Sequence, residues 1–492
     1  MRKKVNGYGE LMARNRAKQK KELAQAIATK PVKQKSEKST SIPQIDYEVM
    51  NNTSIKPYDY IDWESTSTYN IGMRLAEKSS QQRMSLLKMP TGSGKTAVTV
   101  FALGELQKRL NKDLPFIVIA PAKSVQGLGW HNTIAAYNKA HPKNQLKPIT
   151  ITTPDKLSRL LEVAKSCVEV MKALTNDGII VLDEVHLFKN PVSKRSKQLQ
   201  KLSDFKKIGI TATPLTNNPV TDMASYLIMG NYYRNKTDFE RKAGLTYLKD
   251  SYGKYTIYDW EGRISEQRWP YYTKLLEEFK EILYSPNIDV KTLDMPDVVS
   301  HVIQLEYNDA LNEDLRSLAS ANRKRMFDSI VDYLLVTMER ICQDEMRLVE
   351  LEKIVTNHKQ PLIFYQHNFS KDAILQKLSE LGYTDVQVIS GGTDFSKIDL
   401  EVDAPILIQY QAGSAAIELK NSDCSIFYEN QYSHISLIQA RGRNVRRASG
   451  NELVHHYYLI SDCALDSEVY ARVARGEELT TKTLEKMVEE YI

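Results

Sequence analysis

The chain has 492 residues, 42% of them hydrophobic, enough to bury two good-sized cores and to form two domains with extensions. No apolar run reaches the ~18 residues that a membrane-spanning helix needs. Four cysteines, Cys167, Cys342, Cys424 and Cys463, lie far apart with no C-x-x-C pair, which argues against a zinc site and a disulfide framework and fits a reducing cytoplasm.

Charge is unevenly placed. Residues 1–40 carry twelve Lys/Arg against three Glu, a charge of +9 beside +6 for the whole chain. With helical spacing from Gly9 to Thr29, then Pro31 and a Lys/Ser stretch, residues 1–50 read as a flexible basic arm, either a solubility tail or a non-specific nucleic-acid attachment. Nothing in it has the apolar core or small-residue cleavage site of a targeting peptide.

Residues 51–294 read as a first α/β lobe. Its first strand, Met84–Met89, runs into MPTGSGKT (residues 89–96) and then into helical spacing from Ala97 to Leu110. Gly92 and Gly94 let backbone N–H groups close on phosphate oxygens, with Thr91 and Ser93 in the same cradle. Lys95 meets the β/γ charge, and Thr96 offers a hydroxyl to magnesium. ATP with Mg2+ is the expected ligand. Further buried strands are predicted at Phe116–Ala120, Pro148–Thr152, Gly178–Leu182 and Lys207–Thr211. Asp183 and Glu184, 88 positions beyond Lys95, end the fourth strand at the carboxyl edge of the sheet, where α/β folds bind ligands. Asp183 is the expected magnesium holder, and Glu184 the base or orienter of the attacking water.

From 222 to 294 strand rhythm gives way to aromatic and charged residues, including Tyr232, Tyr233, Trp260, Trp269, Tyr271 and Tyr272. A helical protrusion on the first lobe is predicted there, its aromatics packing a small core or stacking bases. Residues 295–492 read as a second α/β lobe. It opens with long helices over 308–356, where Phe327, Ile330, Leu334, Leu335 and Met338 follow i, i+3, i+4 spacing. Strands follow at Pro361–Tyr365, Asp385–Ile389, Ile406–Tyr410, Ser425–Glu429 and Leu453–Ile460, then helices over 463–492. The fold class is therefore α/β, two tandem lobes of parallel sheet flanked by helices, with the P-loop only in the first.

Met89 stands where the general P-loop pattern has glycine, and MPTGSGKT resembles motif I of superfamily two helicases and translocases, whose lobes are RecA-like. DEVHLFKN (183–190) narrows the resemblance to Swi/Snf-type ATPases of DEAD/DEAH-box character, on Lys189 and Asn190. IGITATPLTN (208–217) resembles motif III, which implies coupling roles for Thr211 and Thr213 with His186 of the box. APAKS (120–124) with Trp130, and ITTPDKL (151–157), resemble motifs Ia and Ib. Lys123, Ser124 and Thr153 are thereby implied as nucleic-acid contacts, of a kind that suits phosphates and carries no base code.

In the second lobe PLIFYQHN (361–368) resembles motif IV and QAGSAAIEL (411–419) motif V, implying Gln366, Gly413 and Ser414 as further contacts. QARGRNVR (439–446) matches motif VI, with Gln439, Arg443 and Arg446 as catalytic residues and the two arginines as candidate fingers for γ-phosphate charge. Asp466-Ser467-Glu468 sits where the family carries an acidic segment. The likeness spans about residue 66 to about 475. It departs at Tyr69-Asn70, where the family has Tyr-Gln and where Asn70 becomes the adenine-side candidate, and at Tyr284-Ser285-Pro286-Asn287, which replaces a basic segment. The resemblance implies a DNA helicase or duplex translocase of replication, recombination or repair. An ATP-gated DNA-binding or loading protein and an RNA helicase stay open. The compact build is similar to phage or mobile-element helicases, acting in a bacterial or phage-infected cytoplasm.

Overall fold

The computed structural model describes residues 55–491 except 112, 158–177, 203–204, 216–218, 245–255, 258–264, 288–294, 308, 325, 392, 394–397, 400–401, 411–418, 420, 446–449 and 478. These residues belong to one compact unit that spans 45–492. The basic arm lies outside them, as do Trp260, Gly413, Ser414, Arg446 and the side chain of Lys123.

Continuous apolar runs make strands that must be covered on both faces, and both sheets obey this. In the first, β1 (Met84–Lys88), β2 (Phe116–Ile119), β3 (Thr150–Thr152), β4 (Ile179–Asp183), β5 (Lys206–Thr211) and β6 (Leu283–Tyr284) are ordered β3-β2-β4-β5-β1-β6, every pairing parallel. Alternate residues serve opposite layers. Leu86, Ile117, Ile119, Ile180 and Leu182 face one core, while Leu87, Phe116, Val118, Ile179, Val181 and Ile208 face the other. The helices Thr66–Gln81 and Lys95–Leu110 cover the second face.

The first face is covered by helices that the sequence assigns to a protrusion. Pro219–Met229 buries Val220, Met223 and Tyr226–Met229, and Trp269–Ile282 adds Leu275, Phe279 and Ile282. They are part of the lobe's core, because an α/β sheet leaves no apolar face open. Tyr232, Tyr271 and Tyr272 pack against the same cluster, and Tyr233 is inside it, so their rings serve packing.

The second sheet, β7 (Asp297–Leu305), β8 (Leu362–Tyr365), β9 (Gln387–Ile389), β10 (Ile406–Gln409), β11 (Cys424–Phe427) and β12 (Leu453–Ser461), is ordered β7-β12-β11-β8-β10-β9 and is again wholly parallel. Two strands escape the sequence pattern. β6 has two residues, and β7 is an edge strand with Val298, Val299 and Val302 exposed. In the helix Ile330–Cys342, Leu334 and Met338 are buried as predicted, but Leu335 is 39% exposed; the inward stripe continues through Thr337 and Ile341 instead. Cys342, Cys424 and Cys463 are free thiols.

Asp466, from the segment expected to be the family's acidic stretch, is turned inward. It pairs with the equally buried Arg347 at 3.2 Å and also accepts the N–H and Oγ–H of Ser461 at 2.9 and 2.7 Å. Arg347 donates as well to the carbonyls of Tyr428 and Leu459, so one guanidinium joins the helix Glu345–Val355 to β11 and β12. Arg347→Met should therefore lower lobe-two stability by about 3–5 kcal/mol, since it strands a buried carboxylate. Arg347→Met combined with Asp466→Leu should lose less than the sum of the single changes; chemical denaturation of the four chains measures this.

His456, in the middle of β12, is buried, and burial, then the Arg441 and His455 charges, hold its imidazole down to about 3. An unfolded histidine titrates near ~6.5, so the unfolded chain takes up a proton that the fold excludes, and stability falls as pH falls from there toward about 3. The expected slope is on the order of 1 kcal/mol per pH unit, read from denaturation midpoints, and His456→Phe should flatten it.

Candidate active site between the lobes

The P-loop hangs from the carboxyl end of β1. Met89 is buried in the core beneath it, and its N–H donates to Thr211 O at 3.2 Å, which ties the loop to the end of β5. An apolar side chain suits that place. Gly92 (φ 77°) and Gly94 (φ 87°) are left-handed, a conformation that favours glycine, and Gly94 caps the helix Lys95–Leu110. Ser93 is buried, with its Oγ–H on Pro90 O at 2.7 Å. Lys95 Nζ donates to Pro90 O at 2.9 Å and Met89 O at 3.3 Å. Thr91, Thr96 and the two glycines are half-buried around the helix N-terminus.

β4 delivers Asp183 and Glu184 to the same edge. Asp183 Oδ2 accepts the indole N–H of Trp130 at 2.9 Å, and Oδ1 accepts the N–H of Glu184 at 2.9 Å. Burial, then the Glu184 charge, push the Asp183 carboxyl up to about 6, against the opposing pull of Trp130 and Lys95. Burial acts on Glu184 in the same sense. There the His186 bond and the charges of His186, Lys95 and Arg443 outweigh it, and its carboxyl lies below the usual range.

His186 Nδ1 lies 3.1 Å from Glu184 Oε2 and 3.0 Å from Thr211 Oγ1, which in turn accepts the N–H of Thr213 at 3.1 Å. The three residues proposed from sequence as a coupling set are thus one bonded chain running from Glu184 to the turn after β5. Asn190, which narrowed the family, braces a turn by accepting the Val192 N–H at 3.1 Å.

The second lobe meets this edge through the end of the helix His434–Arg441. Gly442 backs onto the P-loop so closely that a Cβ there would stand 2.4 Å from Thr91 Oγ1 and 2.7 Å from Thr91 Cβ. Its neighbour Arg443 is buried and places its charge on Glu184. Gln439 is buried on the helix, and Arg441 turns aside to bond Tyr458 at 2.6 Å.

The candidate nucleic-acid contacts are spread more widely. Ser124 is buried in the short helix Ala122–Gln126, and Thr153 precedes the turn Pro154–Lys156. Gln366 is drawn into a second-lobe network: Gln431 donates to its side-chain oxygen at 3.1 Å, and buried Glu429 accepts the N–H groups of Gln366 and His367. Asn70 is exposed on the second turn of the helix Thr66–Gln81. Sequence reasoning missed Gly442 and the Trp130 bond, although both residues stand inside motifs it had marked.

Among the described residues no cluster of three or more His, Cys, Asp and Glu could cage a metal. Magnesium takes one or two carboxylates and completes its shell with phosphate and water. Asp183 and Thr96 are the groups that could hold it, and the crowded negative charge of Asp183 and Glu184 is what a divalent cation would offset.

Residues 48–216, from before the first strand to motif III, match the family described as Type III restriction enzyme, res subunit. A protein of Acanthamoeba polyphaga mimivirus, provisionally named an ATP-dependent RNA helicase, is 23% identical over 442 residues, covering 82% of this chain and 90% of that protein. Among solved structures, the Sulfolobus solfataricus SWI2/SNF2 ATPase core in complex with double-stranded DNA is 16% identical, covering 86% of this chain and 96% of that one at a TM-score of 0.36. No described helix is long and apolar enough to cross a membrane. The family match lies over the first lobe, and the order of motifs from Met89 to Arg443 is similar to that of superfamily two helicases.

Proposed function

We propose that the chain hydrolyses ATP in the cleft between its lobes and uses each cycle to shift its grip along DNA, as a helicase or duplex translocase of Swi/Snf-like type. The observation that carries the reading is the Arg443 charge reaching Glu184 from the other lobe, with Gly442 against Thr91 beside it. An arginine supplied across a cleft makes the active site complete only when the lobes meet, and opening it again is a movement.

Each residue has a definable task. The N–H groups around Gly92 and Gly94 hold the β-phosphate, and Lys95 leaves its carbonyl partners for the β/γ oxygens. Asp183 and Thr96 would hold magnesium, which would supply neutralisation of phosphate charge. Glu184, kept ionised by His186, Lys95 and Arg443, accepts a proton from the attacking water. Arg443, with Arg446 as a second candidate, steadies the charge that spreads over the γ-phosphoryl oxygens. The chain Glu184–His186–Thr211–Thr213 carries the state of the γ-phosphate site toward the lobe-one segments that would touch phosphates of the polymer.

DNA is favoured by Lys189-Asn190. RNA is the second reading, favoured by the name of the mimivirus relative. ATP hydrolysis measured with no polymer, single-stranded DNA, duplex DNA and RNA decides between them. DNA is expected to stimulate, and Lys95→Ala or Arg446→Ala to abolish the stimulation; turnover indifferent to polymer would sink the motor reading, and stimulation by RNA alone the choice of DNA.

Closure is tested separately. Because any side chain at 442 collides with Thr91, Gly442→Ala should lower kcat by about tenfold or more through misplacement of Arg443, with nucleotide affinity largely kept. An unchanged kcat would mean that catalysis does not use this approach of the lobes.

A further inference from the structure

Trp130 opens the helix Gly129–Ala140 and is 1% exposed, beneath the site rather than facing substrate. Indole is a donor only, so its bond to Asp183 has one direction: it fixes Oδ2 while the Glu184 N–H fixes Oδ1. Both chain segments that meet there are strained. Leu128, two residues before Trp130, has φ 56°, and Glu184, next to Asp183, has φ 48°. A left-handed non-glycine residue costs on the order of 1–3 kcal/mol and persists where the surroundings over-determine it. One on each side of a single hydrogen bond marks a junction that the fold maintains.

The junction reaches a second candidate surface. Only Gly127, Leu128 and Gly129 separate Trp130 from Ala122–Gln126, the segment with Lys123 and Ser124. Leu128 N–H donates to Val125 O at 3.2 Å, and Asn132 N–H to Leu128 O at 2.8 Å, so segment, strained turn and helix form one bonded piece. A displacement of Ala122–Gln126 is therefore felt at Asp183.

We propose that Trp130 is a positioning residue through which nucleic acid bound at Ala122–Gln126 sets the orientation of Asp183 and so tightens the divalent-cation site. It rests on the ATP-site reading above. Trp130 touches no reacting atom; it acts only through the carboxylate it holds.

The test uses the full chain with ADP and Mn2+, the free ion read by electron paramagnetic resonance, with and without single-stranded DNA, duplex DNA or RNA. In the wild type, polymer should lower the Mn2+ concentration for half-saturation. Trp130→Phe keeps a ring but removes the donor; it should weaken Mn2+ binding by about tenfold and erase the polymer's effect on it. Polymer affinity without metal, measured by anisotropy, should stay at the wild-type value, while the gain in polymer affinity on adding Mn2+ with ADP should vanish with the coupling. If Trp130→Phe changes only the melting temperature, the side chain merely packs and the proposal fails. A wild-type chain that takes up no Mn2+ with ADP overturns the ATP-site reading itself, a result distinct from any failure of the variant. Should Trp130→Phe not fold, 19F NMR of the chain carrying 5-fluorotryptophan decides, with lines assigned through Trp63→Phe, Trp260→Phe and Trp269→Phe. The Trp130 line should move on adding Mg2+ with ADP and again on adding polymer; a line that moves with neither DNA nor RNA overturns the proposal.

Discussion

Two neighbouring carboxylates, Asp183 and Glu184, are pressed together at the end of a buried strand, and much of the lower half of the cleft is arranged around that fact. Left alone, one would take a proton, as the rise of Asp183 to about 6 already signals. Instead four groups from four places in the sequence converge on the pair: Trp130, Lys95, His186 and Arg443. Three are reached within the first lobe. The fourth is not, so the charge balance of the pair depends on where the second lobe stands.

That dependence requires the second lobe to behave as a solid body, and the Arg347–Asp466 centre supplies the stiffness. A buried ion pair is a poor source of net stability, because desolvation offsets most of the attraction. Its geometry is what matters here. Arg347 reaches two strand carbonyls and a carboxylate that also holds Ser461, which fixes the outer helices to β11 and β12 in one arrangement.

The parallel sheets were legible because strands buried on both faces carry unbroken apolar runs, and so was the P-loop, whose two left-handed positions are both glycine. β6 and β7 were not legible: the first is too short to have a period, and the second, an edge strand with exposed valines, lacks the buried signature. That the described helices of 222–294 cover the lobe's own sheet was not legible for a related reason, since an amphipathic helix has the same pattern whether it covers its own sheet or stands apart from it. At the site, types and spacing located Lys95, Asp183, Glu184 and Arg443. The Trp130 bond could not be read, because a tryptophan inside an apolar helix gives no sign of which acceptor its N–H will find. Leu128 and Glu184 stay hidden too, because nothing in their residue types announces a positive φ.

Adjacency in sequence closes the argument about the cleft. Gly442 sets how near the lobes can come, and Arg443, the next residue, carries the charge that this approach delivers. The two are joined by one peptide unit and anchored by the Arg443 N–H on Ala440 O at 3.1 Å, so distance and charge cannot be adjusted independently. A side chain at 442 holds the guanidinium away from Glu184 even with every ionic group intact. In the proposed cycle, then, bringing the Arg443 charge to Glu184 and closing the cleft are one event rather than two coupled ones.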